Sequence, residues 1–184
     1  MPADRHNHRS FRRPRARPGA RRMLHLLIGL LILTALVVLT MRLVVNPLSR
    51  PAAIGLAEHN SLQPCPGTPN CVSSQAATDA AEYIQPLQVS ATQEAPIDAV
   101  SRHLGAVGNY RIVTQDPHYL HAEFITPLMA YRDDLELLAD PAQPGQVQVR
   151  SASRVGRSDL GKNRARVEAL RQALASDSSA TTAD

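Results

Sequence analysis

The chain has 184 residues, of which 43% are apolar, 20% charged and only 3% aromatic, with 14 Pro, nine Gly and two Cys. That length holds one domain, and the composition is neither collagen-like nor wholly disordered; two cysteines cannot build a zinc knuckle or a disulfide-dense scaffold. The net charge of +4 hides an asymmetry: eight arginines against the single acid Asp4 precede residue 23, whereas from residue 46 onward 15 acids outnumber 11 basic groups. The main domain is therefore acidic, the reverse of a nucleic-acid-binding surface, and no nucleic-acid partner is expected.

Residues 23–41, MLHLLIGLLILTALVVLTM, carry no charge. At ~1.5 Å per residue they cross a ~30 Å hydrocarbon core, with His25 near one end and Arg42 at the other able to reach the headgroups. Arginines are retained on the cytoplasmic side, so the N-terminus is expected inside and the rest of the chain in the periplasm, anchored in the inner membrane by residues 23–45. A cleaved signal peptide would have a shorter apolar core and an A-x-A-like site, and Thr40-Met41-Arg42-Leu43 offers a poor one. The Arg21-Arg22 pair also admits a twin-arginine signal. This gives a basic cytoplasmic tail over residues 1–22, a signal anchor over 23–45, a linker over 46–60, an extracytoplasmic domain over 61–176 and a disordered tail over 177–184.

Within the linker and beyond it, Pro47, Pro51, Pro64, Pro66 and Pro69 block helix and central-strand pairing. Residues 83–89 form a candidate strand. Ile97, Val100, Leu104 and Val107 recur at helical spacing behind Pro96, predicting a helix of about three turns. Strands are then expected over residues 110–114, 119–126, 135–139 and 147–151, the second with Leu120, Ala122 and Phe124 on one face and His121 and Glu123 on the other. Residues 159–175 read as a helix with Ser158 as N-cap and Gly161 costing ~1 kcal/mol inside its first turn. The order β-α-β-β-β-β-α predicts an α+β fold, an antiparallel sheet of about five strands with two helices on one face.

Cys65 and Cys71 bracket the turn Pro66-Gly67-Thr68-Pro69-Asn70. In an oxidising compartment they would pair, stabilising the fold by roughly 2 kcal/mol on the chain-entropy model. Free or metal-binding thiols remain open, as does a redox pair, although the redox spacing is usually C-x-x-C. From Arg150 to Arg164 the sequence RSASRVGRSDLGKNR passes from a strand end into a helix start, where amides, Ser, Arg and Lys suit an anion. Strand alternation puts Arg150, Ala152 and Arg154 on one face and Ser151 and Ser153 on the other. Asn163 falls inside the apolar stripe of Leu160, Val167, Leu170 and Leu174 and must find partners. Asn70, Gln75, Asp133, Arg150, Ser151, Ser153, Arg154 and Asn163 are the candidate ligand-binding residues, expected to form one polar cluster. A scaffold reading pairs Arg150 or Arg154 with Asp133, Asp134 or Asp159 instead.

The remaining histidines show no H-x-x-x-H pair, the serines lack a G-x-S-x-G elbow, and no P-loop spacing occurs, so no cofactor or metal is expected. Asp133, Asp134 and Glu136 form the one acidic group near a strand start.

The segments CPGTPNCVSSQ (residues 65–75), DDLE (133–136), RSASRVG (150–156) and SDLG with Asn163-Arg164, in that order, resemble the bacterial and plastid domain-of-unknown-function family numbered 1499. The resemblance covers residues 64–174; the family's aromatic after the RSxSRxG glycine is Arg157 here. It implies a small domain, often with an anchor or export signal, and no established activity. The function expected is a membrane-anchored binding or interaction module of the envelope. Its partners would be the bilayer and an anionic ligand or an envelope protein. The alternative is an envelope enzyme acting on a phosphorylated or acidic substrate, with Arg150 and Arg154 clamping charge and Asp133 or Asp134 as base.

Overall fold

The structure, a computed structural model, describes residues 18–51, 53–89 and 95–181. Most of the arginine-rich tail lies outside the described residues. The chain divides into two units at Val37/Val38. The first is the apolar part of helix α1 (Pro18–Thr40), none of whose 18-residue apolar window is buried by protein. From Met23 on, the helix is rich in Leu and holds no Gly or Pro breaker other than Gly29, so it winds readily, and its large apolar side chains, Leu26 and Leu31 among them, are exposed. Together with a π-helical turn (Met41–Val45) and a short α2 (Asn46–Leu48), it forms one helix long and apolar enough to cross a membrane.

The second unit is built on a six-stranded antiparallel sheet. The strands are β3 (Cys71–Ser73), β4 (Leu87–Gln88), β5 (Tyr110–Gln115), β6 (Tyr119–Ile125), β7 (Arg132–Ala139) and β8 (Gln146–Ser153). Their order is β3-β8-β7-β6-β5, with β4 also on β8, and a separate hairpin pairs β1 (Leu56–Ala57) with β2 (Ser61–Leu62). Helices α3 (Pro96–Ser101) and α4 (Lys162–Thr181) complete an α+β fold. The register Leu120↔Leu137↔Val149 and Ala122↔Leu135↔Ser151 aligns one face of three strands. That face packs on Ile97, Val100 and Leu104 and on Val167, Leu170 and Leu174 to make the core.

Several elements differ from the sequence-based reading. Of residues 83–89 only Leu87–Gln88 pair as a strand, since Pro86 interrupts the run. The helix expected through Val107 stops at Ser101 and resumes as a 3-10 turn (Leu104–Val107). The last helix starts at Lys162, not Asp159. Its cap is the carboxylate of Asp159, which accepts from the amides of Gly161 (3.0 Å) and Asn163 (2.7 Å), rather than Ser158. Gly161 therefore precedes the helix, at φ +78°, where glycine is favoured instead of costly. At its other end α4 runs on past Ala175 to Thr181, there being no Gly or Pro to stop it, so residues 177–181 are helical and 182–184 lie outside the described residues. Residues 46–51 and 53–62, read as tether up to 60, lie across the second face of the sheet.

Candidate functional site

Alternation along β7 and β8 divides the polar residues between two faces. On the helix side, Asp133, Ser151 and Ser153 project toward α4. Ser151 Oγ donates to Asn163 Oδ1 at 2.7 Å, and Asn163 Nδ2 donates to Ser153 Oγ at 2.9 Å and to the carbonyl of Asn70 at 3.0 Å. Ser153 Oγ donates to Asp133 Oδ1 at 2.6 Å. Asn70 Nδ2 reaches the carbonyl of Gly156 at 2.8 Å, fastening the cysteine loop to the β8–α4 connection. Arg166 closes the group: its guanidinium donates to Asp133 Oδ2 and Asn163 Oδ1, both at 2.7 Å, and stacks 4.5 Å from the Phe124 ring centroid. Asn70, Asp133, Ser151, Ser153 and Asn163 are thus brought together, all buried except the half-buried Ser153. Arg166 is not among the sequence-based candidates, although at i+3 from Asn163 it shares the helix face of that residue.

Arg150 and Arg154 join a different group on the opposite face, so the eight candidates do not form one cluster; a one-residue step along a strand reverses the side-chain direction. Arg154 holds Asp134 with two parallel bonds, Nε to Oδ2 at 2.8 Å and Nη2 to Oδ1 at 2.7 Å, and also donates to Glu123 Oε1. Arg111 and Arg132 donate to Glu123 Oε2 at 2.7 and 2.8 Å, and His121 Nε2 lies 2.8 Å from Asp134 Oδ1. Next to this group, Arg150 donates to Glu136 Oε2 at 2.8 Å while Tyr119 OH donates to Glu136 Oε1 at 2.7 Å. Gln75 belongs to neither group; its Oε1 accepts from the amide of Leu62 at 2.8 Å.

These contacts govern the protonation states. Burial alone would raise the Glu123 and Asp134 carboxyls, but hydrogen bonds and charge outweigh it, from Arg111 and Arg154 on Glu123 and from Arg154 and His121 on Asp134, and hold both below the ordinary carboxylate range. Arg154 is pushed up by its bonds to Asp134, against the opposing effect of burial, and Glu123 adds to the rise. Burial, then the hydrogen bond and charge of Glu136, push the Tyr119 hydroxyl up. The ionised carboxylates and guanidinium are thus locked to one another. Among the described residues, no three His, Cys, Asp or Glu side chains gather as metal ligands do.

The cysteines are joined as the disulfide Cys65–Cys71, with Cα atoms 5.8 Å apart. It closes the turn whose Asn70 enters the helix-side group. Two cavities flank the Asp159–Gly161 turn. One of about 250 Å³ is lined by Thr68, Pro69, Cys71, Glu82 and Arg164. The other, of about 300 Å³, is lined by Thr126, Tyr131, Ser153, Ser158, Leu160 and Lys162. The second lies at the strand end where the RSASRVG and SDLG segments meet.

Residues 61–174 match the model of a family described as "Protein of unknown function (DUF1499)". This is the greater part of the chain, and the chain belongs to that family. No curated protein and no solved structure matches it significantly.

Proposed function

We propose that this family member is a single-span protein of the cytoplasmic membrane, with its arginine-rich N-terminus inside and its disulfide-closed domain in the periplasm as a binding module of the envelope. The observation that carries this reading is the order of two features: one exposed apolar helix, then a cystine-bearing domain. Eight arginines before the span favour this orientation, and the cystine suits an oxidising compartment. Fusions to the C-terminus test it: alkaline phosphatase is expected active and green fluorescent protein dark. The opposite pattern defeats the topology and the compartment together.

Binding is preferred over catalysis because the groups that a reaction would use are engaged with each other. Asp133 faces Arg166 and Ser153, and Asp134 faces Arg154 and His121. The buried polar residues are scaffold in this reading, and a ligand with an anionic group enters the 300 Å³ cavity, where Lys162 and Ser158 stand at its wall. Phosphate and carboxylate anions are expected to raise the melting temperature of the detergent-solubilised full chain, and Lys162→Ala to remove that rise without lowering the melting temperature of the free protein. A rise that survives in Lys162→Ala places the ligand elsewhere.

A further inference from the structure

The end of the sheet that carries the family segments is also the end on which residues 42–49 are fastened. The β6–β7 connection (residues 126–131), the β8–α4 connection (154–161) and the cysteine loop all lie there, because antiparallel pairing brings the C-terminal ends of β6 and β8 beside the starts of β3 and β7. Residues 41–48 belong to the same unit. The Arg42 guanidinium donates to the carbonyls of Pro127 and Leu128, and Nδ2 of the fully buried Asn46 donates to the carbonyl of Met129. The Ser49 carbonyl accepts from Arg154 Nη1 at 3.2 Å.

Arg42 is the first charge after the uncharged run of residues 23–41. If that run crosses a bilayer, Arg42 marks the level of its headgroups, and the loop hydrogen-bonded to it lies at that level too. In the connections at this end two large apolar side chains face solvent: Leu128 is 70% and Leu160 90% exposed. Leu160 sits at φ +57°, an unusual backbone conformation for a branched side chain, and lines the same cavity as Thr126 and Tyr131 at the two ends of the Leu128 loop. Arg50, Arg157 and Lys162 are exposed around them, while the nearby Asp159 is committed to backbone amides.

We propose that this end of the domain rests on the lipid surface, with Leu128 and Leu160 inserted below the headgroups and Arg157 and Lys162 against anionic phospholipids. The proposal rests on the reading of residues 23–41 as a span and deepens that of the 300 Å³ cavity, whose anionic group is then a phospholipid headgroup: the domain is not held away from the membrane by a tether but is a second membrane contact.

The chain contains no Trp, so single-Trp variants of the full chain report depth directly. In phosphatidylethanolamine–phosphatidylglycerol vesicles, Leu128→Trp and Leu160→Trp are expected to emit further to the blue than Ala142→Trp on the β7–β8 hairpin, at the far end of the sheet. Doxyl groups placed near the headgroups are expected to quench both, and doxyl groups at the bilayer centre to quench Leu31→Trp. Quenching of Leu31→Trp with Leu128→Trp and Leu160→Trp behaving like Ala142→Trp overturns the surface contact and leaves the span intact. Absence of quenching at Leu31→Trp removes the span and the proposal with it. Adding Arg157→Glu and Lys162→Glu to Leu160→Trp is expected to reduce its quenching in these vesicles; unchanged quenching overturns the assignment of anionic lipid.

Discussion

The two faces of the sheet come from the same strands and are stabilised in different ways. Toward α3 and α4 the strands present Leu120, Ala122, Leu135, Leu137, Val147 and Val149, and helices cover them. Away from the helices they present Tyr119, His121, Glu123, Asp134, Glu136, Arg150 and Arg154, covered by the largely irregular chain of residues 46–51 and 53–62. A helix satisfies its own amides and carbonyls and can lie on an apolar surface, whereas irregular chain brings unpaired ones that must find partners if buried. Here they do: the Ser49 carbonyl meets Arg154, the Ala53 carbonyl meets Arg150 and the Gly55 amide meets Glu136. The charge on the sheet complements the backbone of its cover.

Arg154→Ala breaks this comparison most severely. It leaves Asp134 and Glu123 buried without the guanidinium that bridges them, a change that costs ~3–5 kcal/mol for buried pairs. Urea denaturation of the detergent-solubilised chain should show that loss; a change no larger than that of a surface pair would mean that water reaches the face and the cover is loose. Arg154 also sets the acid limit. Glu123 and Asp134 titrate below their ordinary values of 4.5 and 3.8, so the stability they contribute is complete above those values and is lost as pH falls through the lower folded ones. The variant is expected to show a shallower acid slope than the native chain.

Leu170→Ala tests the helix face. Its side chain is fully buried, and truncation costs ~2–5 kcal/mol through lost burial and the cavity left behind. The difference from Arg154→Ala lies in pH: the Leu170→Ala loss should be constant between pH 3 and pH 7 on the scale where carboxylates titrate, because no charge is involved.

The helix face was legible in the sequence, and the other face was only half so. Leu120, Ala122 and Phe124 announce a strand with one apolar side, and Leu170 and Leu174 a helix to cover it. The alternation also placed Arg150 and Arg154 together, opposite Ser151 and Ser153, and the pairing of Arg154 with Asp134 was among the scaffold readings. What the pattern could not show was that His121 and Glu123 face protein rather than water. A polar strand face normally reads as solvated, and its cover is a proline-bearing segment without periodicity. The signal was nevertheless present as opposite charges: Glu123, Asp134, Glu136, Arg150 and Arg154 all fall on one parity of three adjacent strands. Arg166 carried no such signal, since only the packing of α4 on the sheet brings it to Asp133 and Phe124.

Asn163→Ala probes the polar patch within the helix face. It removes the donor to Ser153 and Asn70 and the acceptor of Ser151 and Arg166, leaving buried groups unpaired at a cost of ~1–3 kcal/mol. Because Asn163 ties α4 to the carbonyl of Asn70, the loss should be accompanied by faster reduction of Cys65–Cys71 by dithiothreitol. Unchanged reduction would mean that Asn70 and Gly156 alone hold the cysteine loop.

Tyr119→Phe should have the smallest effect and sharpens the comparison at the other end of the pH scale. The hydroxyl supplies one of three donors to Glu136, the others being the Gly55 amide and Arg150, so its removal should cost only ~1 kcal/mol at neutral pH. Burial and the Glu136 charge hold the hydroxyl protonated well above the ordinary tyrosine value of 10.0. A group raised on folding contributes stability that is complete below the unfolded value and is lost as pH rises beyond it toward the folded one. The native chain should therefore weaken faster than Tyr119→Phe above pH 10, by the ordinary tyrosine scale, until the two denaturation curves approach each other. Parallel curves across that range would mean that ionised Tyr119 is solvated in the folded protein, and that the cover of residues 46–62 opens at this edge while Arg154 still holds it at the other.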